Sequence, residues 1–304
     1  MGQVCSSCGR YLPFATAEGN IEETMQFTYI ESDKGLIEFR QHLHRNEIDL
    51  ISMDFEGEFN LHCYGEKLCL IQIFDGKRFY IIDPFTISRE ELKKMLEGRA
   101  IKLFYDASSD RMLVYKQYGI KITSILDLKI LVDLLEFQQK GLGDILNNLF
   151  KIEKDKKKKF QRYNWMNRPV AKDAIHYALS DVENLFRLKD ELLGLIKQQD
   201  MIEQLVYRFA RTNVNYDKVS IPSIKKKKEY RSLSVVEKHK CDEIYKMREA
   251  IAKRLDRPPD YVFSNGQLFE IARKQMAVPE VVCGRGLSDS VKKEIHEGLA
   301  KILE

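Results

Sequence analysis

The sequence predicts an α/β unit built on one mixed sheet, followed by a small all-helical unit. Three observations carry this. The 304 residues suit two domains at roughly 150 residues each. From about residue 26, short apolar runs bounded by turn residues alternate with segments of helical period. Strand signals then stop after the charged stretch Ser220-Ile221-Pro222-Ser223-Ile224-Lys225-Lys226-Lys227-Lys228, and only helical period remains. The expected organisation is a tail over 1–25, an α/β unit over 26–216, a basic linker over 217–228 and a helical unit over 229–304.

Residues 26–30 read as a short strand. Asp33 is placed to cap a helix over 35–44, with Leu36, Phe39 and Leu43 at helical spacing. Residues 48–54 are an apolar, bounded run, hence a buried strand. Runs at 68–74 and 78–82 flank Asp75-Gly76, a hairpin signal. Ser88-Arg89-Glu90-Glu91 has the capping-box pattern and predicts a helix to about Leu96. A strand follows at 101–104, and Ser108 is placed to cap a helix through Tyr118. Helical period returns at 127–137, 142–150 and 171–199, with Asp127 read as an N-cap. In the last unit Ile244, Met247, Ile251 and Leu255 share a face, Pro258-Pro259 breaks it, and Ser264 caps the next helix.

Composition excludes several classes. Hydrophobic residues at 44% suffice for a core, which excludes a disordered chain. No run approaches the roughly 18 apolar residues of a membrane span, so no integral membrane association is expected. Six Cys in 304 residues fit a reducing intracellular compartment better than a disulfide scaffold. That compartment reads as cytoplasmic, or nuclear in a eukaryote. The net charge of +4 carries little by itself.

Acidic residues stand where a buried strand should be apolar. Asp54 and Glu56 are two apart, so both face one side of the sheet. Asp110 follows the strand at 101–104. Tyr177 and Asp181, at i and i+4, share one helix face, while Ala178, Val182, Leu185 and Leu192 form a core stripe. Three elements thus offer four carboxylates and a phenol to one place. Such carboxylates repel unless protonated or bound to cations. Oxygen-only ligands favour Mg²⁺ or Mn²⁺. Two such ions about 3.5–4 Å apart stabilise the attacking and leaving oxygens of a phosphoryl displacement.

These residues resemble the motifs of the DEDD exonucleases of the Tyr subclass, most closely the ribonuclease D group. The first motif is Asp54-Phe55-Glu56, followed by Leu68-Cys69-Leu70-Ile71-Gln72-Ile73 and Ile81-Ile82-Asp83-Pro84. The second centres on Asp110 in Phe104-Tyr105-Asp106-Ala107-Ser108-Ser109-Asp110, and the third is Tyr177-Ala178-Leu179-Ser180-Asp181. Gly141-Leu142-Gly143-Asp144-Ile145-Leu146 and Asn164-Trp165-Met166-Asn167-Arg168-Pro169 fit the segments between them. The resemblance implies an α/β ribonuclease H-like exonuclease domain over about residues 26–200. It further implies that Asp54, Glu56 and Asp181 hold one cation, that Asp54 and Asp110 hold a second, and that Tyr177 orients the attacking water. The family usually has His or Asn where Tyr105 stands, a departure that bears on substrate contacts rather than metal binding.

Residues 229–304 resemble the HRDC domain, an auxiliary nucleic-acid-binding module. The resemblance rests on Met247-Arg248-Glu249-Ala250-Ile251-Ala252, on Asp256-Arg257-Pro258-Pro259-Asp260-Tyr261-Val262-Phe263 and on Ser264-Asn265-Gly266-Gln267-Leu268-Phe269-Glu270-Ile271-Ala272. Together the resemblances imply a metal-dependent 3′→5′ exoribonuclease trimming structured RNA, such as tRNA precursors, to release 5′-mononucleotides. The alternatives are a Werner-type DNA exonuclease and a non-catalytic RNA-binding adaptor. Retention of all five site residues argues against the adaptor, and RNA is favoured over DNA.

Two further segments bear on partners. Residues 151–163 carry seven Lys/Arg against two acids, with Phe160, Tyr163 and Trp165 interleaved or adjacent. Lys156, Lys157, Lys158, Lys159 and Arg162 suit phosphates, and Tyr163 suits stacking on a base. Cys5-Ser6-Ser7-Cys8 is half a zinc knuckle, but Cys63, Cys69, Cys241 and Cys283 form no second pair. Gly2 with Ser6 matches an N-myristoylation pattern. The expectation for this segment is a flexible tail without zinc.

Overall fold

The computed structural model describes residues 26–153, 160–212, 214–217 and 221–304. The N-terminal tail with Gly2, Cys5 and Cys8, and the run Lys156–Lys159, lie outside them.

The first unit contains β1 (Phe27–Ile30), α1 (Asp33–Arg45), β2 (Leu50–Phe59), β3 (Glu66–Phe74), β4 (Phe79–Ile82), α2 (Arg89–Leu96), β5 (Ile101–Phe104), α3 (Ser108–Tyr118) and β6 (Ile125–Asp127). It continues through α4 (Leu128–Leu134), α5 (Leu142–Phe150), α6 (Lys172–Glu183), α7 (Leu185–Gln198) and α8 (Ile202–Arg211). Its sheet has the order β1-β4-β3-β2-β5-β6. The β2–β3 and β3–β4 pairs are antiparallel, and β1–β4, β2–β5 and β5–β6 are parallel. The mixed sheet is the one expected.

Period-two alternation sorts the strands' side chains to two cores. Met53, Phe55, Ile71 and Ile73 bury against α1, α2 and α3 through Leu36, Leu92 and Leu113. Leu70 and Ile81 bury on the opposite face against Ala174, Ala178 and Val182 of α6. A further cluster joins Leu103 to α4, α5, α7 and α8. The central sheet therefore has helices on both sides.

The second unit comprises α9 (Lys228–Arg231), α10 (Val235–Leu255), α11 (Pro259–Val262), α12 (Asn265–Ala272) and α13 (Asp289–Leu303). Ile244, Ile251, Phe263, Leu268 and Ile295 centre its core. Ile224, from the charged stretch, is buried in that core, and Lys225 pairs with Asp242 at 2.6 Å. The two units touch at the tip of the β2–β3 hairpin. Tyr64 packs on the helical core, its backbone N–H donates to Asp256, and Lys67 reaches Asp256 at 3.3 Å. Between the units, Tyr216 lies against α3: its ring centroid is 4.6 Å from that of Tyr115, and Arg111 Nε donates to its hydroxyl.

Local details differ from the sequence expectations where short polar residues compete for a role. Ser32, not Asp33, caps α1, accepting from Gly35 N–H at 3.2 Å. Asp33 instead accepts from Ser88 N–H and ties the starts of α1 and α2. Ser108 is the first residue of α3, whose cap position is Ala107. The helical stretch 171–199 divides at Asn184 into α6 and α7. Ile125–Asp127 is a strand that hydrophobic period did not reveal, and Asp127 caps α4 as expected.

Candidate active site

Asp54 and Glu56 lie within β2, not at its end, because the strand runs on to Phe59. The apolar run suggested a stop near residue 54, but pairing with β3 continues to Phe59 opposite Glu66. A register shift falls between Glu56 and Gly57. Alternation turns Met53 and Phe55 into the α1–α3 core and leaves Asp54 and Glu56 on the α6 face. The strand's third acid, Glu58, has a structural role: it is buried and accepts from the backbone N–H groups of Leu61 and His62.

Two anchors place α6 over these carboxylates. The buried Ser52 hydroxyl, two residues before Asp54, donates to the Val182 carbonyl at 2.8 Å. Arg168, ahead of the helix, donates to Asp83 Oδ1 at 3.0 Å, to the Cys69 carbonyl at 2.7 Å and to the Trp165 carbonyl at 2.8 Å. Its guanidinium thereby clamps the approach to α6 onto β3 and the end of β4. Asp181 is brought to the first motif, so that Asp54, Glu56 and Asp181 each offer an oxygen within 4.8 Å of the others. Tyr177, one turn earlier, packs against the Phe160 ring at 5.1 Å.

Asp110 sits in the first turn of α3 and outside that three-carboxylate group. It is nonetheless near enough for its charge to act on Asp54. Its position is set by Asp127, whose carboxylate accepts from the N–H groups of Asp106 at 2.8 Å and Ala107 at 3.0 Å. The same carboxylate caps α4 through Lys129 N–H. Asp127 therefore fixes the turn that launches α3, beyond the capping role read from sequence. Tyr105 points away from the acids: its ring packs on the α4–α8 core and its hydroxyl donates to the Lys140 carbonyl.

The electrostatics are those of a site short of positive charge. Burial, then the charges of Asp110, Asp181 and Glu56, push the Asp54 carboxyl well above its ordinary range. Burial, then Asp181 and Asp110, does the same to Glu56. Burial, then Asp106 and Asp127, pushes Asp110 up to about 7. Asp54, Glu56 and Asp110 are each half-buried. Bringing in a divalent cation relieves this repulsion, and an all-oxygen donor set suits a hard ion. The residues fit a divalent-metal centre.

A profile of the 3′-5′ exonuclease family matches residues 27–197, more than half of the chain. The chain belongs to this family. A profile of the HRDC domain matches residues 241–281 of the chain, within its helical unit. A ribonuclease D of Desulfotalea psychrophila is 27% identical over 249 residues, covering 80% of this chain and 66% of its own. An exosome complex component 10 homolog of Caenorhabditis elegans is 22% identical over 237 residues, covering 75% of this chain and 27% of its own. The chain thus spans between about a quarter and two thirds of the length of these relatives. The catalytic core of RRP6 from Trypanosoma brucei shares the fold, with a TM-score of 0.73 at 21% identity over 93% of this chain and 80% of that one.

Elsewhere the predicted interface residues part company. Arg162 is exposed, whereas Tyr163 is half-buried and its hydroxyl accepts from Ala171 N–H at the start of α6. Phe160 and Trp165 are 4% and 3% exposed, which places their rings in the packing under α6 rather than out toward a strand. Lys156, Lys157, Lys158 and Lys159 lie outside the described residues. Sequence reasoning passed over Ser52 and the Asp83–Arg168 pair. A buried hydroxyl in an apolar strand, and an Arg just before a helix, were the available signals. No helix among the described residues is long and apolar enough to cross a membrane.

Proposed function

We propose that this exonuclease is a metal-dependent 3′→5′ exoribonuclease that releases 5′-mononucleotides from RNA 3′ ends by two-metal hydrolysis with Mg²⁺ or Mn²⁺. The observation that carries the reading is the convergence of Asp54, Glu56 and Asp181, with Asp110 beside them and Tyr177 one turn before Asp181. Asp54, Glu56 and Asp181 would hold one cation, and Asp54 with Asp110 the other. When bound, the cations would supply Lewis-acid stabilisation of the attacking and leaving oxygens. The Tyr177 hydroxyl orients the attacking water by hydrogen bond.

RNA is favoured as substrate because the named relatives are a ribonuclease D and an exosome component. The helical unit and the basic run at 151–163 supply affinity for the polyanion, Lys156–Lys159 and Arg162 through phosphates. The reading places the enzyme inside the cell, with the exonuclease unit at 26–216 and the auxiliary unit at 229–304, joined by 217–228, whose Ile224 packs into the auxiliary core. The test is digestion of 3′- and 5′-labelled RNA and DNA oligomers with Mg²⁺ or Mn²⁺, and with excess chelator. Mononucleotides should leave the 3′ end of RNA first. Undiminished hydrolysis in chelator would refute the metal role, and a preference for DNA would refute the substrate.

A further inference from the structure

Gln72 is a fully buried residue of β3, with 0% exposure, and neither its Nε2 nor its Oε1 has a hydrogen-bond partner among the described residues. It is the only side chain among the described residues with two such orphaned atoms. Leaving a buried amide unpaired costs about 1–3 kcal/mol, so an apolar side chain of the same shape would suit the fold better.

The place of that amide is telling. In the antiparallel β2–β3 pair, Gln72 stands directly opposite Asp54. Directly opposed residues project to the same face with Cβ atoms about 4.5–5.5 Å apart. On its other side Gln72 faces Ile81 of β4. Its neighbours along the strand, Leu70 and Phe74, pack with Ala178 and Val182 of α6. The amide is therefore enclosed between the sheet and the helix that carries Asp181, within a side chain's reach of Asp54. A carboxylate that gives one oxygen to a cation keeps lone pairs on the other, and a donor beside it fixes its rotamer.

We propose that Gln72 is a positioning residue for Asp54: its Nε2–H donates to the Asp54 carboxylate when that group is ionised and engaged by a divalent cation. The unpaired amide is then the donor that the ionised carboxylate calls on. Because this rests on the metal-centre reading, the test separates the two.

The experiment compares the full chain with Gln72→Met, using calorimetric Mn²⁺ binding and thermal melting with and without Mn²⁺. Removing the orphan amide should raise the melting temperature of the cation-free protein by about 2–4 °C. Losing the donor should weaken Mn²⁺ binding about tenfold, and the melting-temperature gain on adding Mn²⁺ should shrink. Stability and affinity thus move in opposite directions, which loss of packing alone would not produce. Gln72→Leu should give the same two signs. Unchanged Mn²⁺ affinity in a stabilised variant would overturn the proposal. So would a lower melting temperature for both cation-free variants, since the amide would then already be paired. A wild-type chain that binds no Mn²⁺ would instead overturn the metal-centre reading itself.

Discussion

Asp54 and Asp83 belong to the same sheet and meet opposite electrostatic surroundings. Asp83, at the end of β4, is 4% exposed. Burial alone would raise its pKa, but the Arg168 guanidinium and the Phe85 N–H outweigh it and hold the carboxyl below its ordinary range. Asp54, in the middle of β2, is likewise crowded by protein, but the charges that act on it are those of other acids, and its carboxyl is raised. One site carries its counter-charge in the chain, whereas the charges acting on the other are all acidic. On the proposed function, the difference separates a carboxylate that holds architecture from one that would do chemistry.

The sharpest break of this comparison is Asp54→Asn. It removes a ligand shared by both proposed cations, and turnover should fall about 10³-fold or more. Melting of the cation-free protein at neutral pH should be unchanged or higher, because like-charge repulsion is relieved. A variant that is both inactive and unfolded would place Asp54 with Asp83 instead. Arg168→Ala should do the reverse. It leaves Asp83 buried without its partner and should cost about 3 kcal/mol in denaturant unfolding. Activity should fall only as far as α6 loses its clamp.

The pH dependence sets the two carboxylates against each other. Asp110 is raised to about 7, so the folded, cation-free protein holds that proton more tightly than the unfolded chain. The associated stability is complete below the unfolded carboxyl pKa near 4 and is lost as pH rises through about 7. Asp83, being lowered, contributes stability that is present above the unfolded carboxyl pKa of about 4 and is lost as pH falls below it. Melting curves in chelator should therefore decline between about pH 5 and 8, and the gain on adding Mg²⁺ should grow across the same interval. A gain independent of pH would contradict the coupling. The smallest effect is expected of Tyr177→Phe, which should slow hydrolysis about tenfold and leave the metal titration unmoved. A strong shift in that titration would make Tyr177 part of the metal centre.

How far the sequence shows all this depends on the kind of signal. Period two put Asp54 and Glu56 on one face, and the i, i+4 step put Tyr177 with Asp181, because side-chain direction follows from backbone geometry alone. The apolar run could not show that β2 extends past Glu56, since Glu56-Gly57-Glu58 reads as a polar exit until the pairing with β3 is known. The three residues of β6 were too short for any period to register. Arg168, Asp127 and Gln72 are long-range partners: what they do depends on residues 85, 21 and 18 positions away. No local pattern encodes such separations.

The anchoring of Tyr216 on α3 has a consequence for how the two units cooperate. Ile224, eight residues on, is already buried in the helical core. Even a fully extended chain of that length spans at most about 29 Å. A tether this short confines its two ends to a small shared volume, and short linkers give effective concentrations in the millimolar range. A strand held weakly by the helical unit would therefore be presented to the nuclease as if concentrated far above its bulk level. After each cleavage, rebinding would compete with escape, and modest affinities on the two units would combine into a long residence on one molecule of nucleic acid.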